Sequence, residues 1–277
     1  METAEAAARW DGAFNLRDLG GMPLLAGGST ARHRVFRSGA PEYLTTRGWQ
    51  EAVADGLRTV VDLRNAPAET EREGHHPQVD EAAFAAIDIL NRPTEDPLDP
   101  EFMRVCGPWL DHPRSYADNV AFYPERFAAL FEAMAMASAR GAVLVHCAGG
   151  RDRTGMVVAM LLSLVGVETA AIVDDYSVAF RAVNAFIAEH PEASRERARP
   201  LEELDARVAE RAVALEEWLR SFDVEGYLMD AGLSRATIAR LRGLLVGRAP
   251  TDTSSPDKCH GRNLTRGRGG GIRGPAC

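Results

Sequence analysis

Lysine is all but missing from this chain. Lys258 is the only one, so 31 of the 32 basic residues are arginines, and a lone arginine in any motif carries little information. Cysteine is also scarce: Cys106, Cys147, Cys259 and Cys277 stand apart, without a CxxC or a His/Cys cluster. That excludes a disulfide framework, offers no metal ligands, and leads us to expect free thiols. The pair His75-His76 has no third ligand nearby in sequence and reads as a surface loop. No apolar run reaches the ~20 residues a bilayer requires. The opening METAEAAARWDGAFN has neither the basic flank nor the apolar stretch of a secretory signal, so the cytoplasm is the expected location. Aromatic residues are few, at 7%, but 45% hydrophobic and 26% charged residues over 277 positions fit a globular protein with a substantial core. The net charge of −8 disfavours nonspecific nucleic-acid binding.

Along the chain, Asn15-Leu16-Arg17-Asp18-Leu19-Gly20-Gly21 reads as a loop or tight turn. Arg34 to Ser38 is a short β-like run that ends at Gly39. Thr45 and Thr46 can cap a helix toward Ala54 that Gly56 would end, and Leu57 to Arg64 reads as a buried strand. Strand, helix and strand in this order suggest parallel pairing. Residues 81–90 form another apolar segment, followed at 91–100 by a Pro- and acid-rich loop expected at the surface. From Ser115 to Arg140 apolar residues keep helical spacing. Ala142 to Val145 resembles a central parallel strand, and Thr154 to Val165 a buried helix. Further on, Tyr176, Phe180, Val183 and Ile187 share one helical face, as do Leu204, Val208, Leu215, Trp218 and Leu219. A last helix opens at Ser234. The domain is expected over 1–250, with 251–277 a disordered Gly/Arg-rich tail.

The segment that carries chemistry lies between the predicted strand and helix: His146-Cys147-Ala148-Gly149-Gly150-Arg151-Asp152-Arg153-Thr154-Gly155. Residues 147–153 make a loop whose successive N–H groups can turn inward around one anion, aided by the positive end of the helix dipole. Gly149 and Gly150 remove Cβ atoms that would block close approach. Ala148, Gly149, Gly150, Arg151, Asp152 and Arg153 are therefore the candidate phosphate-binding residues, with Arg153 presenting a planar fork to two oxygens. The same surroundings favour the thiolate of Cys147, the nucleophilic form. Thr154 can hydrogen-bond its sulfur and help it depart from a covalent intermediate. A cysteine with an arginine six positions on means little in so arginine-rich a chain, but the full string is specific.

That string resembles the HCxxGKDRTG signature of the bacterial branch of cysteine-dependent tyrosine phosphatases, the tyrosine/serine and lipid phosphatase-like group. Asn15 to Gly21 is similar to its NFRDLGG, Arg37-Ser38-Gly39 to its RSG, and Val61-Asp62-Leu63-Arg64 to its strand ending in DLR. Gly232 through Arg242 fits its last helix, so the likeness runs in order over residues 10–247. It implies a dual-specificity-phosphatase-like α/β fold with a short, mainly parallel sheet, and hydrolysis through a phosphocysteine without cofactor or metal. The implied substrate is a phosphotyrosine protein or a phosphoinositide. Arg151 replaces the family's usual Lys, a change of shape that leaves substrate choice open.

The general acid has several candidates. Asp152 resembles the family's acid within the loop. Asp62, at the carboxyl end of a strand, comes next, although a hydrogen bond to a neighbouring loop or to Arg17 or Arg37 explains it equally well. Asp96 is the counterpart of a moving-loop acid and otherwise solvated charge. His146 is expected to support the loop, Arg17 and Asp18 to brace it or fix their own turn, and the helices of about 170–222 to pack as an insertion and cover the pocket as a lid. A module that binds phosphorylated ligands without turnover, or a rhodanese-like sulfurtransferase, are the competing functions.

Overall fold

Thr45 starts the first helix as its sequence predicts: its hydroxyl accepts the Gly48 N–H at 3.1 Å, satisfying one of the donors that a helix start leaves open. In the computed structural model, which describes residues 9–65, 76–194 and 196–246, this helix joins two strands of a five-stranded sheet. In chain order the elements are β1 (Arg17–Asp18), β2 (Val35–Ser38), α1 (Thr46–Ala54), β3 (Leu57–Asp62), β4 (Asp88–Asn91), α2 (Pro100–Val105), α3 (Tyr116–Phe122), α4 (Pro124–Ala137), β5 (Ala142–His146), α5 (Asp152–Val165), α6 (Thr169–Glu189), α7 (Leu201–Ser221), α8 (Val224–Asp230) and α9 (Arg235–Leu245). The expected tail, Cys259, Cys277 and His75 lie outside the described residues.

The strand order is β1-β2-β5-β3-β4, with β1 antiparallel to β2 and the other pairs parallel. β2 and β3 thus run parallel, but both pair with β5 and not with each other. The reason is hydrophobic. Val143 and Val145 of β5 pack into the cluster containing α4, α5 and α9, while Ala142 and Leu144 pack on the opposite side with Phe36, Trp49 and Val60. A strand apolar on both faces is most stable where both faces are covered, at the sheet's centre. The polar run at 15–21, expected as a loop, contributes the two-residue edge strand β1, with Arg17 opposite Arg37.

Helix α5 is buried almost all round, from Thr154 through Leu164, as its near-continuous apolar sequence requires. Each of its large side chains contributes about 1.5–3 kcal/mol on leaving water. The stretch from Ser115 to Arg140 does not form one helix: it breaks between α3 and α4 at Tyr123, where φ is −133° and ψ 58°. Pro124 has no N–H for the helix ladder and forces the preceding residue out of helical backbone. The faces predicted for α6, α7 and α9 are those buried, including Tyr176, Leu215 and Leu241. α8, which the sequence did not announce, is capped by Asp223.

Candidate active site

β5 ends at His146 in the middle of the sheet and α5 begins at Asp152, so residues 147–151 reverse the chain at the carboxyl edge. Gly150 does this with a φ of +68°, and a Cβ at that position would lie 2.0 Å from the carbonyl oxygen of Ser38. Glycine alone fits. The loop's carbonyls are held from outside: Asn15 Nδ2 donates to those of Gly149 at 2.8 Å and Gly150 at 3.0 Å, Arg37 to that of Gly150 at 2.7 Å, and the Ala40 N–H to that of Ala148 at 2.9 Å. In a trans peptide the N–H points opposite to the carbonyl. Pulling these three carbonyls outward therefore turns the N–H groups of Gly149, Gly150 and Arg151 inward, the arrangement that receives an anion.

The outer brace is itself built from distant residues. Asn15 occupies left-handed backbone at φ 52°, a region asparagine tolerates, and its Oδ1 accepts from Arg17 at 2.5 Å. Arg17 Nε donates to Asp175 Oδ1 of α6 at 2.6 Å, and Arg37 donates to the other oxygen of the same carboxylate. Burial pushes the Asp175 carboxyl up, but Arg37 and Arg17 outweigh it and hold the group below its ordinary value. Of the two expected supports, Arg17 reaches the loop through Asn15. Asp18 instead accepts the N–H groups of Gly20 and His33, fixing its own turn.

Cys147, 4% exposed, lies on a cleft of about 800 Å³ that Ala148, Gly149, Arg151, Asp152 and Arg153 also line. Arg153, in the first turn of α5, has its Nε 3.7 Å from Glu95. Thr154 is fully buried, and its Oγ1 makes no hydrogen bond, so the expected bond to the sulfur of Cys147 is not formed. His146 Nδ1 lies 3.1 Å from the Cys147 carbonyl and Nε2 3.8 Å from Asp62. Burial holds its imidazole below the ordinary histidine value.

The three candidate acids stand in different surroundings. Asp62 is tied to Arg64, whose backbone N–H and Nε both donate to Oδ1 at 2.9 Å and whose terminal nitrogen donates to Oδ2 at 2.8 Å. Burial opposes ionisation there, yet the Arg64 hydrogen bonds and the nearby His146 lower this carboxyl. Its partner is neither Arg17 nor Arg37, and it does not line the cleft. Asp96 is paired with Arg126 at 2.9 Å and accepts the Leu98 N–H. Asp152 differs from both. It lines the cleft, its Oδ2 accepts only from Arg151 Nε at 2.9 Å, and its Oδ1 is buried without a hydrogen-bond partner. Burial raises this carboxyl above the usual range despite Arg151.

Arg151 is engaged twice, by Asp152 and by both oxygens of Glu196 at 3.0 Å, with its guanidinium 4.6 Å from the Phe180 ring. From the expected lid, Val183, Phe186 and Ile187 of α6 line the cleft, and Phe186 stacks on Phe14 with centroids 3.8 Å apart. His76 meets the edge of Tyr43 at 5.1 Å. Beyond the polar pair Asp174-Asp175 within an apolar helix, nothing in the sequence alone singles out Asp175, Glu95 or Glu196, or gives Asn15 a task. Among the described residues, no three His, Cys, Asp or Glu side chains could hold a metal ion, and no helix is long and apolar enough to cross a membrane.

Comparison with known proteins places the chain. A solved structure of P. aeruginosa TpbA covers 73% of this chain and 88% of its own, at 17% identity and a TM-score of 0.37. The triple specificity protein phosphatase PtpB of Mycobacterium tuberculosis is 29% identical over 275 residues, spanning 85% of this chain and 98% of that protein. A tyrosine-protein phosphatase of Nostoc commune is 28% identical over 164 residues, 56% of this chain and 50% of its own. Residues 8–247 match the tyrosine phosphatase family, which is most of the chain, and the protein belongs to that family.

Proposed function

We propose that this protein hydrolyses phosphomonoesters through a phosphocysteine, with phosphotyrosine as the leading substrate. The supporting observation is the loop whose carbonyls are pulled outward by Asn15, Arg37 and Ala40, beside a cysteine on the cleft. The Cys147 thiolate attacks phosphorus, and the phosphorus–oxygen bond to the alcohol breaks as Asp152 gives that oxygen its proton. Arg153 and the inward N–H groups stabilise the equatorial oxygens as charge moves through the transition state. Water then attacks the phosphocysteine, Asp152 takes its proton, and the sulfur leaves as thiolate with release of orthophosphate.

The cleft supports an aromatic leaving group. Cys147 is deeply placed, and Phe14, Tyr43 and Phe186 line the same cleft, so a flat phenol fits beside them better than a short serine side chain. The PtpB relative carries triple specificity in its name, and phosphoserine, phosphothreonine and phosphoinositide turnover belong to the same proposal at lower efficiency. A substrate panel tests it. Phosphotyrosine peptide should be turned over fastest by wild type, with Cys147→Ser inactive and still folded by circular dichroism. Asp152→Asn should lose about 10²–10⁴-fold, most on poor leaving groups. Turnover by Cys147→Ser, or thiosulfate sulfurtransfer without phosphatase activity, would overturn the reading.

A further inference from the structure

Arg151 stands between two acids that compete for it. Its Nε donates to Asp152 Oδ2 at 2.9 Å, while its two terminal nitrogens each donate to a different oxygen of Glu196 at 3.0 Å. Glu196 belongs to the segment joining α6 to α7, 45 residues further along. A guanidinium carries five N–H donors in two forks, one through its two terminal nitrogens and one through Nε and the adjoining terminal nitrogen, and the two-bond pairing is the stronger one. Here Glu196 holds the terminal fork, and Asp152 takes Nε alone. The arrangement is fixed in place because the Arg151 guanidinium packs on the Phe180 ring at 4.6 Å and is nearly buried.

Resting on the reading of Asp152 as proton donor, we propose that Glu196 is a positioning residue for that step. By holding both terminal nitrogens of Arg151, it fixes the guanidinium where only Nε reaches Asp152 and the second Asp152 oxygen stays unpartnered, which favours the protonated donor. The charges around Asp152 agree. Arg151 on its own loop favours ionisation. Burial, Asp111 from the segment before α3 and Glu196 from the segment before α7 all oppose it. Two tyrosines also stand near: Tyr116, at the start of α3, donates to the Asp152 backbone carbonyl at 3.1 Å, and Tyr176 of α6 lies close by. Arg211 of α7 is turned to Asp111, donating to its carboxylate at 3.2 Å. Removing the charge of Glu196 therefore leaves the attraction of Arg151 for ionised Asp152 less opposed.

The test is Glu196→Gln in the full chain, compared across leaving groups and pH. The amide keeps the size of the side chain at a half-exposed position, so the melting temperature should fall only slightly, by the loss of one charged pairing to Arg151. The alkaline limb of the kcat profile should move to lower pH. Phenyl phosphate, whose leaving oxygen needs a proton, should lose about tenfold at neutral pH, a part of what a general acid supplies. p-Nitrophenyl phosphate, whose leaving group departs unprotonated, should stay within about twofold, and Glu196→Asp should restore the limb. Equal losses on both substrates with an unmoved limb, or no change in either, would overturn the proposal. The underlying reading fails separately, if Asp152→Asn keeps the alkaline limb or Cys147→Ser keeps turnover.

Discussion

Replacing Asp62 and Arg153 in turn distinguishes support from chemistry at the scale of single side chains. Asp62 spends both oxygens on Arg64 and does not line the cleft. Asp62→Asn should therefore keep turnover within about threefold, while losing about 2 kcal/mol of stability as a buried charged hydrogen-bond set is broken; urea unfolding and kcat measured on one preparation check both halves. Arg153→Lys should do the reverse, leaving stability within about 1 kcal/mol while kcat falls about 10²–10³-fold, because an ammonium cannot reproduce a planar fork on two phosphate oxygens. The same logic explains why three aspartates that look alike in sequence are not interchangeable. What differs is the number of donors each meets: three for Asp62, two for Asp96 and one for Asp152.

At the scale of elements, the loop after β5 depends on the segment that begins near Asn15. Asn15→Ala removes two hydrogen bonds from the Gly149 and Gly150 carbonyls and should cost about 1–3 kcal/mol. With the peptide planes no longer held, phosphate or vanadate affinity should fall along with kcat, which inhibition titration would reveal. Gly150→Ala is harsher. Its Cβ meets the Ser38 carbonyl at 2.0 Å on left-handed backbone, and about 3 kcal/mol or more of destabilisation is expected in thermal unfolding. A variant that binds vanadate normally after either change would show that the loop holds its shape without these contacts.

Across the whole molecule, buried carboxylates set how stability depends on acid. Asp62 and Asp175 are both held below their ordinary values by arginines. Their contribution is therefore present above the unfolded aspartate value near 3.9 and is lost as pH falls through their folded values. Acid unfolding monitored by circular dichroism should be steep below about pH 4, and shallower in Asp175→Asn. Asp152 has the opposite sign. Its folded value is raised, so its favourable contribution exists at low pH and is lost as pH rises through that value. Asp152→Asn should consequently melt higher than wild type at neutral pH and no higher at pH 4. Stability given up at the proposed proton donor is the usual exchange at a working site.

Some of this architecture could be read directly from the residues. Thr45 and Ser234 mark helix starts because a cap bond spans only three residues. The run from Ala142 to Val145 must be central because no other place covers both its faces, and Gly150 must be glycine because the strand-to-helix reversal needs left-handed backbone. These are local constraints, decided by sterics and hydrophobic pattern over a few residues. The break at Pro124 was equally local, and the apolar spacing on either side disguised it.

Tertiary packing decided which carboxylate meets which cation. Arg17 finds Asp175 across 158 positions, Arg37 finds the same carboxylate across 138, and Arg151 finds Glu196 across 45. In a chain with 31 arginines and 40 acidic residues, composition permits a very large number of such pairings. Only the common docking of β2, β5, α5 and α6 brings these particular ones within hydrogen-bonding distance, because a charge pair is strong at 3 Å, away from water, and weak almost everywhere else.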